Sequence, residues 1–438
     1  MSETHAHSAA YVRREMLPQE APPALETGAV KWLRENLFSS WLNGILTVVS
    51  LAFIWLVLSS ILPWVVQGIW NAESLSECRE IRDQLYGEGH EVACWAVLGD
   101  RWRQLLFGFY PPEHYWRVVL ALVVFLAAIA PVLFESLPRK MLILTPLAPF
   151  IIFFLLWGGT IWGPLAVLLG FVIGWAIFTY GSPVVGNLGG TVLAILVPIL
   201  YWLFIAGPIA SGLGAILPIG LEFVASDEFG GFMLSFVIGI AGIVLSLPIG
   251  IFLALGRQSD LFIINKFSVI FIEVIRGVPL IVWLFTASLL LNYFLPPGTN
   301  FDLMLRVIIM VTLFSSAYIA EVIRGGLAAL PRGQYEGADS LGLDYWQSMR
   351  LIILPQALKI SIPGIVSTFI GLFKDTTLVV FIGLLDPIGF SNAIRASTEW
   401  NGIYWELFIF IGLCFFVCCF GMSRYSQYLE RKLRTDHR

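Results

Sequence analysis

The sequence has 438 residues, 58% of them hydrophobic and only 13% charged, with a mean hydropathy of +0.82. A soluble globular chain is about half apolar and about a quarter charged, so this composition belongs to a protein bathed in lipid. The 33 Phe and 16 Trp suit a lipid-facing surface with aromatic interface belts, and a net charge of -4 leaves no basic face for nucleic acid.

In chain order, residues 1–37 are polar, contain Pro18, Pro22 and Pro23, and lack the apolar stretch and cleavage site of a secretory signal. They read as a tail before the first span. A membrane crossing needs about 20 apolar residues. The runs that meet this are 41–66, 116–134, 141–157, 162–180, 191–205, 232–255, 267–291, 303–323, 360–384 and 404–421, the fifth being short. The expected fold is an all-α integral membrane protein of about ten transmembrane helices.

Loop charges set the expected orientation. A cytoplasmic N-terminus places Arg13, Arg14, Lys31, Arg34, Arg139, Lys140, Arg257, Lys266, Arg332, Arg350 and Lys359 inside, together with the basic tail Arg424, Arg431, Lys432 and Arg434. Outside fall Arg79, Arg82, Arg101, Arg103 and Arg395, most of them beside acidic residues in one long loop. Both termini are then cytoplasmic.

That long external loop, 67–115, is large enough for a stapled cap. Cys78 and Cys94 stand in it alone, and in an oxidising compartment they can close a disulfide worth about 3 kcal/mol, two free thiols being the alternative. Cys414, Cys418 and Cys419 lie in the last apolar run and read as small buried hydrophobes. The five His fall outside the apolar runs, and only His5 and His7 are closely spaced, so no metal site is expected. Residues 207–230 read as a Gly- and Pro-rich external linker.

The only long cytoplasmic loop between spans is 324–359, and an interior loop of that size usually has a task. Residues 335–341 can make two turns of helix, and Gly342 can take the left-handed conformation that ends one. Asp344 with Gln347 resembles a capping box opening a second helix, and Pro355 is expected to bend the chain toward the next span. Helix, glycine turn and helix form a rigid protrusion suited to docking a soluble partner.

The spacing Glu336-x-Ala338, Gly342, then Ile352-x-Leu354-Pro355 resembles the EAA loop of bacterial ABC importer permeases. In that family the loop's coupling helix docks into a groove on the ATP-hydrolysing subunit. Here Gly337 replaces the consensus Ala, loosening the helix by about 1 kcal/mol, and Asp339 adds an acid. Leu253-Ala-Leu-Gly-Arg257, Glu273-Val-Ile-Arg-Gly-Val-Pro-Leu280, Ser315-Ser-Ala-Tyr-Ile-Ala-Glu-Val-Ile-Arg-Gly-Gly326, Pro331-Arg-Gly-Gln-Tyr335 and Lys374-Asp-Thr-Thr-Leu378 follow in the family's order. Together they resemble the polar-amino-acid branch of these permeases over about 232–425. The five extra N-terminal spans, the Cys78/Cys94 loop and the run Lys31-Trp-Leu-Arg-Glu-Asn-Leu-Phe-Ser-Ser40 resemble the M-type permease of the general L-amino-acid system.

The resemblance implies a type I importer core of five helices at the C-terminal end. The organisation is then a tail (1–40), an extra membrane region (41–230), a permease core (231–425) with its coupling loop at 332–358, and a basic tail (426–438). ATPase coupling falls to Tyr335, Glu336, Gly337, Ala338, Asp339, Leu341, Gly342 and Leu343. The implied partners are a cytoplasmic ATPase dimer, a second homologous permease, a periplasmic amino-acid-binding protein and membrane lipid. The chain contains no G-x-x-x-x-G-K-[ST], so it is expected to be no enzyme, to bind no cofactor, and to leave ATP and Mg to the partner.

An ionisable side chain within a span costs several kcal/mol, ~3 or more, unless paired or wet. Glu273 with Arg276, and Glu321 with Arg324, are three apart and can pair along a helix. Ser315, Ser316 and Tyr318 lie within two turns of Glu321, where small hydroxyls otherwise serve helix packing. Lys374, Asp375, Thr376 and Thr377 are consecutive, so either some face a cavity or the helix is interrupted there. For a free amino acid, Asp375, Glu321 or Glu273 would take the ammonium, and Arg276, Lys374, Thr376 or Ser316 the carboxylate.

An ion-driven secondary carrier also uses intramembrane acids and broken helices. It has no use for the cytoplasmic docking loop, and no inverted repeat is visible. A membrane enzyme lacks any Ser/His/Asp or His/Glu cluster. The expected function is ATP-driven import of L-amino acids from periplasm to cytoplasm by alternating access, in the bacterial inner membrane.

Overall fold

The computed structural model describes residues 28–290, 293 and 302–433. His5, His7, His437, much of the two predicted tails and the last residue of the 267–291 run lie outside the described residues. The chain forms two compact units, Met1–Ile69 with Arg82–Ala93, and Trp70–Ile81 with Cys94–Arg438.

In the first unit, α1 (Gly28–Asn36) turns into α2 (Trp41–Val66). Ser40 caps α2 by accepting the Asn43 N–H at 3.2 Å, satisfying one of the free donors of a helix start. Beyond α2, the Ala93 N–H donates to the Trp64 carbonyl at 3.0 Å. The chain passes between units along α3 (Leu75–Tyr86).

The second unit continues with α4 (Ala96–Phe107), α5 (Tyr115–Leu133), α6 (Leu144–Trp157), α7 (Trp162–Ala176), α8 (Ser182–Phe204) and α9 (Ala206–Ile216). Its C-terminal part is α10 (Gly231–Arg257), α11 (Phe262–Gly277), α12 (Leu280–Phe285), α13 (Leu303–Ala328), α14 (Arg332–Ser340), α15 (Tyr345–Ser348), α16 (Leu354–Asp375), α17 (Pro387–Arg395) and α18 (Trp405–Leu433). The sole sheet among the described residues pairs β1 (Gly159–Thr160) antiparallel with β2 (Gly220–Leu221). Eight helical stretches are long and apolar enough to cross a membrane, and ten if each of two bent pairs is one span.

The bent pairs depart from the expected continuous runs. The 267–291 run breaks by 101° between α11 and α12. Pro279 has no N–H to continue the ladder and holds Val278 extended, at φ -120° and ψ 135°. The 191–205 run instead continues past a 49° bend into α9. Much of the stretch read as a linker, 207–230, is therefore helical: Ile209, Leu213 and Ile216 repeat at helical spacing, and Pro208 sits in the first turn, where a missing N–H costs nothing. Pro355 does not break the helix either: it sits in the first turn of α16, where its missing N–H is tolerated. It follows a five-residue π-helical stretch, Met349–Ile353, and the chain runs on as one 38-residue helical stretch, Tyr345–Ile382.

Two apolar clusters hold the C-terminal core. One gathers Leu234 and Ile238 of α10, Val307 and Val311 of α13 and Leu372 of α16. The other gathers Ala254 of α10, Ile272 of α11, Ile319, Ile323 and Leu327 of α13, and Ala357 of α16. Helices α13 and α16 touch through Gly326, where an added Cβ would stand 2.6 Å from the Ala357 carbonyl oxygen. Only glycine permits that approach.

The segment around α3 and α4 is fastened to the far end of this core. A disulfide joins Cys78 and Cys94, with Cα atoms 6.1 Å apart. The Cys94 N–H donates to Glu406 Oε1 at 2.8 Å, Trp400 Nε1 donates to Asp100 Oδ2 at 2.8 Å, and the Leu75 N–H donates to the Glu399 carbonyl at 2.8 Å. Trp400 is fully buried.

Asp386 caps α17, its Oδ1 accepting the Gly389 N–H at 2.8 Å, while its buried Oδ2 has no hydrogen-bond partner among the described residues. Burial pushes this carboxyl from 3.8 up to about 6. A raised acid is the reverse of the usual stabilising case. Below about pH 4 both folded and unfolded states hold the proton; between about pH 4 and 6 only the folded state does. Stability from this group therefore falls as pH rises through that window, by about 3 kcal/mol in full. Asp386→Asn keeps a competent cap without the charge. It is expected to gain about 2 kcal/mol at neutral pH and to flatten the pH 4–6 slope, as read by thermal unfolding in detergent.

Candidate functional site

Helix α14 stands clear of the core on two anchors. Ala338 is fully buried, and half-buried Tyr335 packs on the second apolar cluster, its hydroxyl donating to the Leu327 carbonyl at 3.4 Å. Burial pushes the Tyr335 phenol up. At the base, Gln356 Nε2 donates to Gln334 Oε1 at 2.9 Å, joining α14 to α16. Outward stand Glu336, Gly337, Asp339, Leu341 and Gly342, while Leu343 is half-buried. Leu341 is 73% exposed, a large apolar side chain turned away from the protein's own interior.

The helix ends by backbone geometry. Gly342 takes φ +69°, its N–H donates to the Asp339 carbonyl at 2.9 Å, and the Leu343 N–H reaches back to Ala338 at 3.4 Å. Asp344 and Gln347 then form a reciprocal capping box that opens α15. All eight residues read as coupling residues thus belong to one short helix and its turn.

Ionisable residues from α10, α11 and α13 gather around Glu321. Arg257 Nη1, at the end of α10, lies 2.5 Å from Glu321 Oε1 and 3.0 Å from Glu273 Oε1. Arg324 Nε donates to Glu321 Oε2 at 3.0 Å, and Arg276 Nη1 is 3.6 Å from the same oxygen. The guanidinium of Arg276 also lies 5.2 Å over the Tyr318 ring. The expected Glu321/Arg324 pair forms, whereas Glu273 pairs with Arg257 instead of Arg276. The reason is geometric: α11 crosses α10 and α13, so contacts between helices displace the contact three residues along α11. Arg257, read from the sequence as a cytoplasmic basic residue closing a family motif and not as a partner of either acid, is the contact between both. Its place at the end of Leu253-Ala-Leu-Gly-Arg257, where α10 meets the loop to α11, was the available signal.

The hydroxyls are mostly satisfied within their own helices. Ser316 Oγ donates to the Leu313 carbonyl at 2.8 Å, Thr376 Oγ1 to Phe373 at 2.7 Å, and Thr377 Oγ1 to Lys374 at 2.9 Å. Ser315 is buried and its hydroxyl has no partner among the described residues. At Lys374–Thr377 the helix changes character: α16 ends at Asp375, and Thr376–Ile382 is a 3-10 stretch stopped by Gly383 at φ 92°. The four polar residues thus sit where the helix tightens from α to 3-10. Lys374 is exposed, Asp375 half-buried, and neither makes an ion pair among the described residues.

These two groups lie at different levels. Val322, next to Glu321, faces Gly364 of α16. Asp375 lies eleven residues further along, about 16 Å at 1.5 Å per residue. Asp375 and Glu321 therefore do not form one compact pocket in this conformation. Among the described residues no cluster of His, Cys, Asp or Glu is suited to hold a metal ion.

Comparison with known proteins follows this geometry. The family described as "Binding-protein-dependent transport system inner membrane component" matches residues 246–435. The glutamate/glutamine/aspartate/asparagine transport system permease protein BztC of Rhodobacter capsulatus is 59% identical over 430 residues, covering 98% of this chain and 99% of that protein. The inner membrane amino-acid ABC transporter permease protein YhdY of Escherichia coli is 38% identical, covering 93% of this chain and 94% of that protein. A crystal structure of an amino acid ABC transporter with histidines is 32% identical over 46% of this chain and 91% of that chain, with a TM-score of 0.41.

The ionic cluster makes a direct prediction. Glu321 is only 16% exposed and meets three guanidiniums, whereas Glu273 is 57% exposed and meets one. Glu321→Gln is expected to lower stability by about 3 kcal/mol, and Glu273→Gln by less than about 1 kcal/mol, in thermal unfolding of detergent-solubilised protein.

Proposed function

The chain belongs to the family of binding-protein-dependent transport system inner membrane components, and from that premise we propose how this permease works, what it carries and which residues serve it. It is a multi-pass inner membrane protein and the permease component of an amino-acid ABC importer; ATP hydrolysis lies outside this component. The substrates are L-amino acids with short acidic or amide side chains. Support for this comes from 59% identity across almost the whole length to a permease named for glutamate, glutamine, aspartate and asparagine. The architecture is that of the M-type permease of a general L-amino-acid system, with an extra membrane region (41–230), a core (231–425) and both termini cytoplasmic.

The observation that carries the coupling role is the construction of α14. Ala338 and Tyr335 fix the helix to the core, while Glu336, Asp339 and Leu341 project from it beside the Gly342 turn. A helix so anchored transmits a push from a partner to α13 and α16. The partners are an ATPase dimer on this loop, a second homologous permease, and a periplasmic amino-acid-binding protein at the opposite end. ATP and Mg bind the ATPase. When ATP draws the ATPases together, α14 moves and the spans around Glu321 and Asp375 reorient, so the path opens alternately to either side.

For the substrate, Asp375 takes the ammonium. The carboxylate passes Arg276, Ser315, Ser316 and Tyr318, and Lys374, Thr376 and Thr377 flank the interrupted end of α16. Glu321 and Glu273 act chiefly in holding α10, α11 and α13 together.

The test is co-purification from membranes with the ATPase of the same system. Gly342→Val forces a β-branched residue to φ +69° and is expected to lose most of the bound ATPase; Gly342→Asn, which tolerates the left-handed region, keeps most of it. Equal retention by both variants, with folding intact, would remove the turn from the docking site.

A further inference from the structure

We infer that α1 is a monotopic helix lying in the plane of the membrane interface, its apolar side resting on lipid at the surface where α2 enters the bilayer. The inference is independent of the transport reading.

Every residue of α1 is solvent-exposed in the protein, including Trp32 at 57% and Leu33 at 42%. Nine residues is short of the roughly 12–15 at which an isolated helix becomes even marginal in water, so a surface must support it. The sequence supplies one apolar side for that surface. At about 100° per residue, Arg34, Lys31 and Glu35 occupy one arc of about 100°. Ala29, Leu33 and Val30 occupy another, flanked by Trp32 and continued by Leu37 in the turn after the helix. Among the described residues, the one ion pair on α1, Lys31 with Glu35 at 3.8 Å, is too exposed to hold the helix by itself.

The turn after α1 sets its depth. The Leu37 and Phe38 N–H groups both donate to the Leu33 carbonyl, at 2.9 and 3.1 Å. Thr47 Oγ1 of α2 donates to the Leu37 carbonyl at 2.8 Å, and Asn43 Nδ2 donates to Ser39 Oγ at 2.7 Å. These bonds tie the end of α1 to the first turns of α2. Helix α2 is exposed along its apolar length from Trp41, the start of its span. The end of α1 is thus held at the level where the bilayer begins, within reach of the headgroup and acyl boundary. An apolar arc beside a charged arc is the pattern of a helix that lies there, with an aromatic ring at the boundary. The net charge of +1 on α1, from Lys31, Arg34 and Glu35, selects anionic headgroups.

The test uses the full chain in lipid nanodiscs, with Cys414, Cys418 and Cys419 replaced by Ala and the Cys78–Cys94 disulfide retained. Spin labels at Leu33→Cys, Lys31→Cys and, as a second polar-face site, Glu35→Cys are read by power saturation with oxygen and with a water-soluble nickel chelate. The inference predicts that the Leu33 label meets oxygen several-fold more than the chelate, and that the Lys31 and Glu35 labels show the reverse. Phosphatidylglycerol in the nanodisc should strengthen the contrast, and Arg34→Gln should weaken that lipid effect. Equal access of the chelate to all three labels places α1 in water and overturns the inference. A Leu33 label shielded from both reagents places α1 against protein, and overturns it equally.

Discussion

Glu321 is placed where three helices must agree. Its carboxylate meets Arg257 from α10, Arg276 from α11 and Arg324 from its own helix, α13. An unpaired acid at that depth would cost several kcal/mol, ~3 or more, and three bare guanidiniums would cost further. Pairing offsets both costs at once, and Arg257 extends the network to Glu273. The relative placement of α10, α11 and α13 at that end of the core follows from this cluster, together with the apolar contacts of Ile272, Ile319 and Ile323. The break at Val278–Pro279 comes immediately after Arg276, so the chain is redirected beside the point where it is most firmly held. Helix α14 is mounted on the same region through Tyr335 and Leu327. Packed, hydrogen-bonded residues therefore connect the exposed loop to the ionic cluster. At the other level, the interrupted end of α16 at Lys374–Thr377 has no comparable ionic ties among the described residues.

The residues preceding the core serve it mechanically at its opposite end. The Cys78–Cys94 bridge closes the α3–α4 segment on itself, and the Trp400–Asp100 hydrogen bond and the Glu406 contact with the Cys94 backbone bind it to α18 and the residues just before it. The two hydrogen bonds join residues 300 and 312 apart in sequence, whereas the disulfide closes a local loop of 16. They brace one end of the core, the end away from the exposed α14 loop.

Much of this was legible from local sequence. The Gly342 turn and the Asp344–Gln347 capping box depend on residue type and spacing within a few positions, and both appear where the spacing puts them. Membrane runs were legible because lipid imposes length and apolarity. Two features were not legible for definite reasons. The helical character of 206–216 was hidden because Gly and Pro composition resembles a linker, although the spacing of Ile209, Leu213 and Ile216 carried the helical signal. The partner of Glu273 was hidden because a contact three residues along a helix can be read from sequence, whereas Arg257, sixteen residues away, depends on how α10 and α11 cross. Likewise, nothing local told that Glu321 and Asp375 stand at separate levels of the core.

The central claim is that this chain imports amino acids as part of an ATP-driven assembly, with its loop as the coupling element. Its most direct test is uptake into proteoliposomes holding the permease pair and ATPase, with labelled glutamate and the binding protein added outside. The account predicts uptake that requires both internal ATP and the binding protein, and that is indifferent to proton and sodium ionophores. Uptake that proceeds without ATP and collapses with either ionophore would contradict it and identify an ion-coupled carrier.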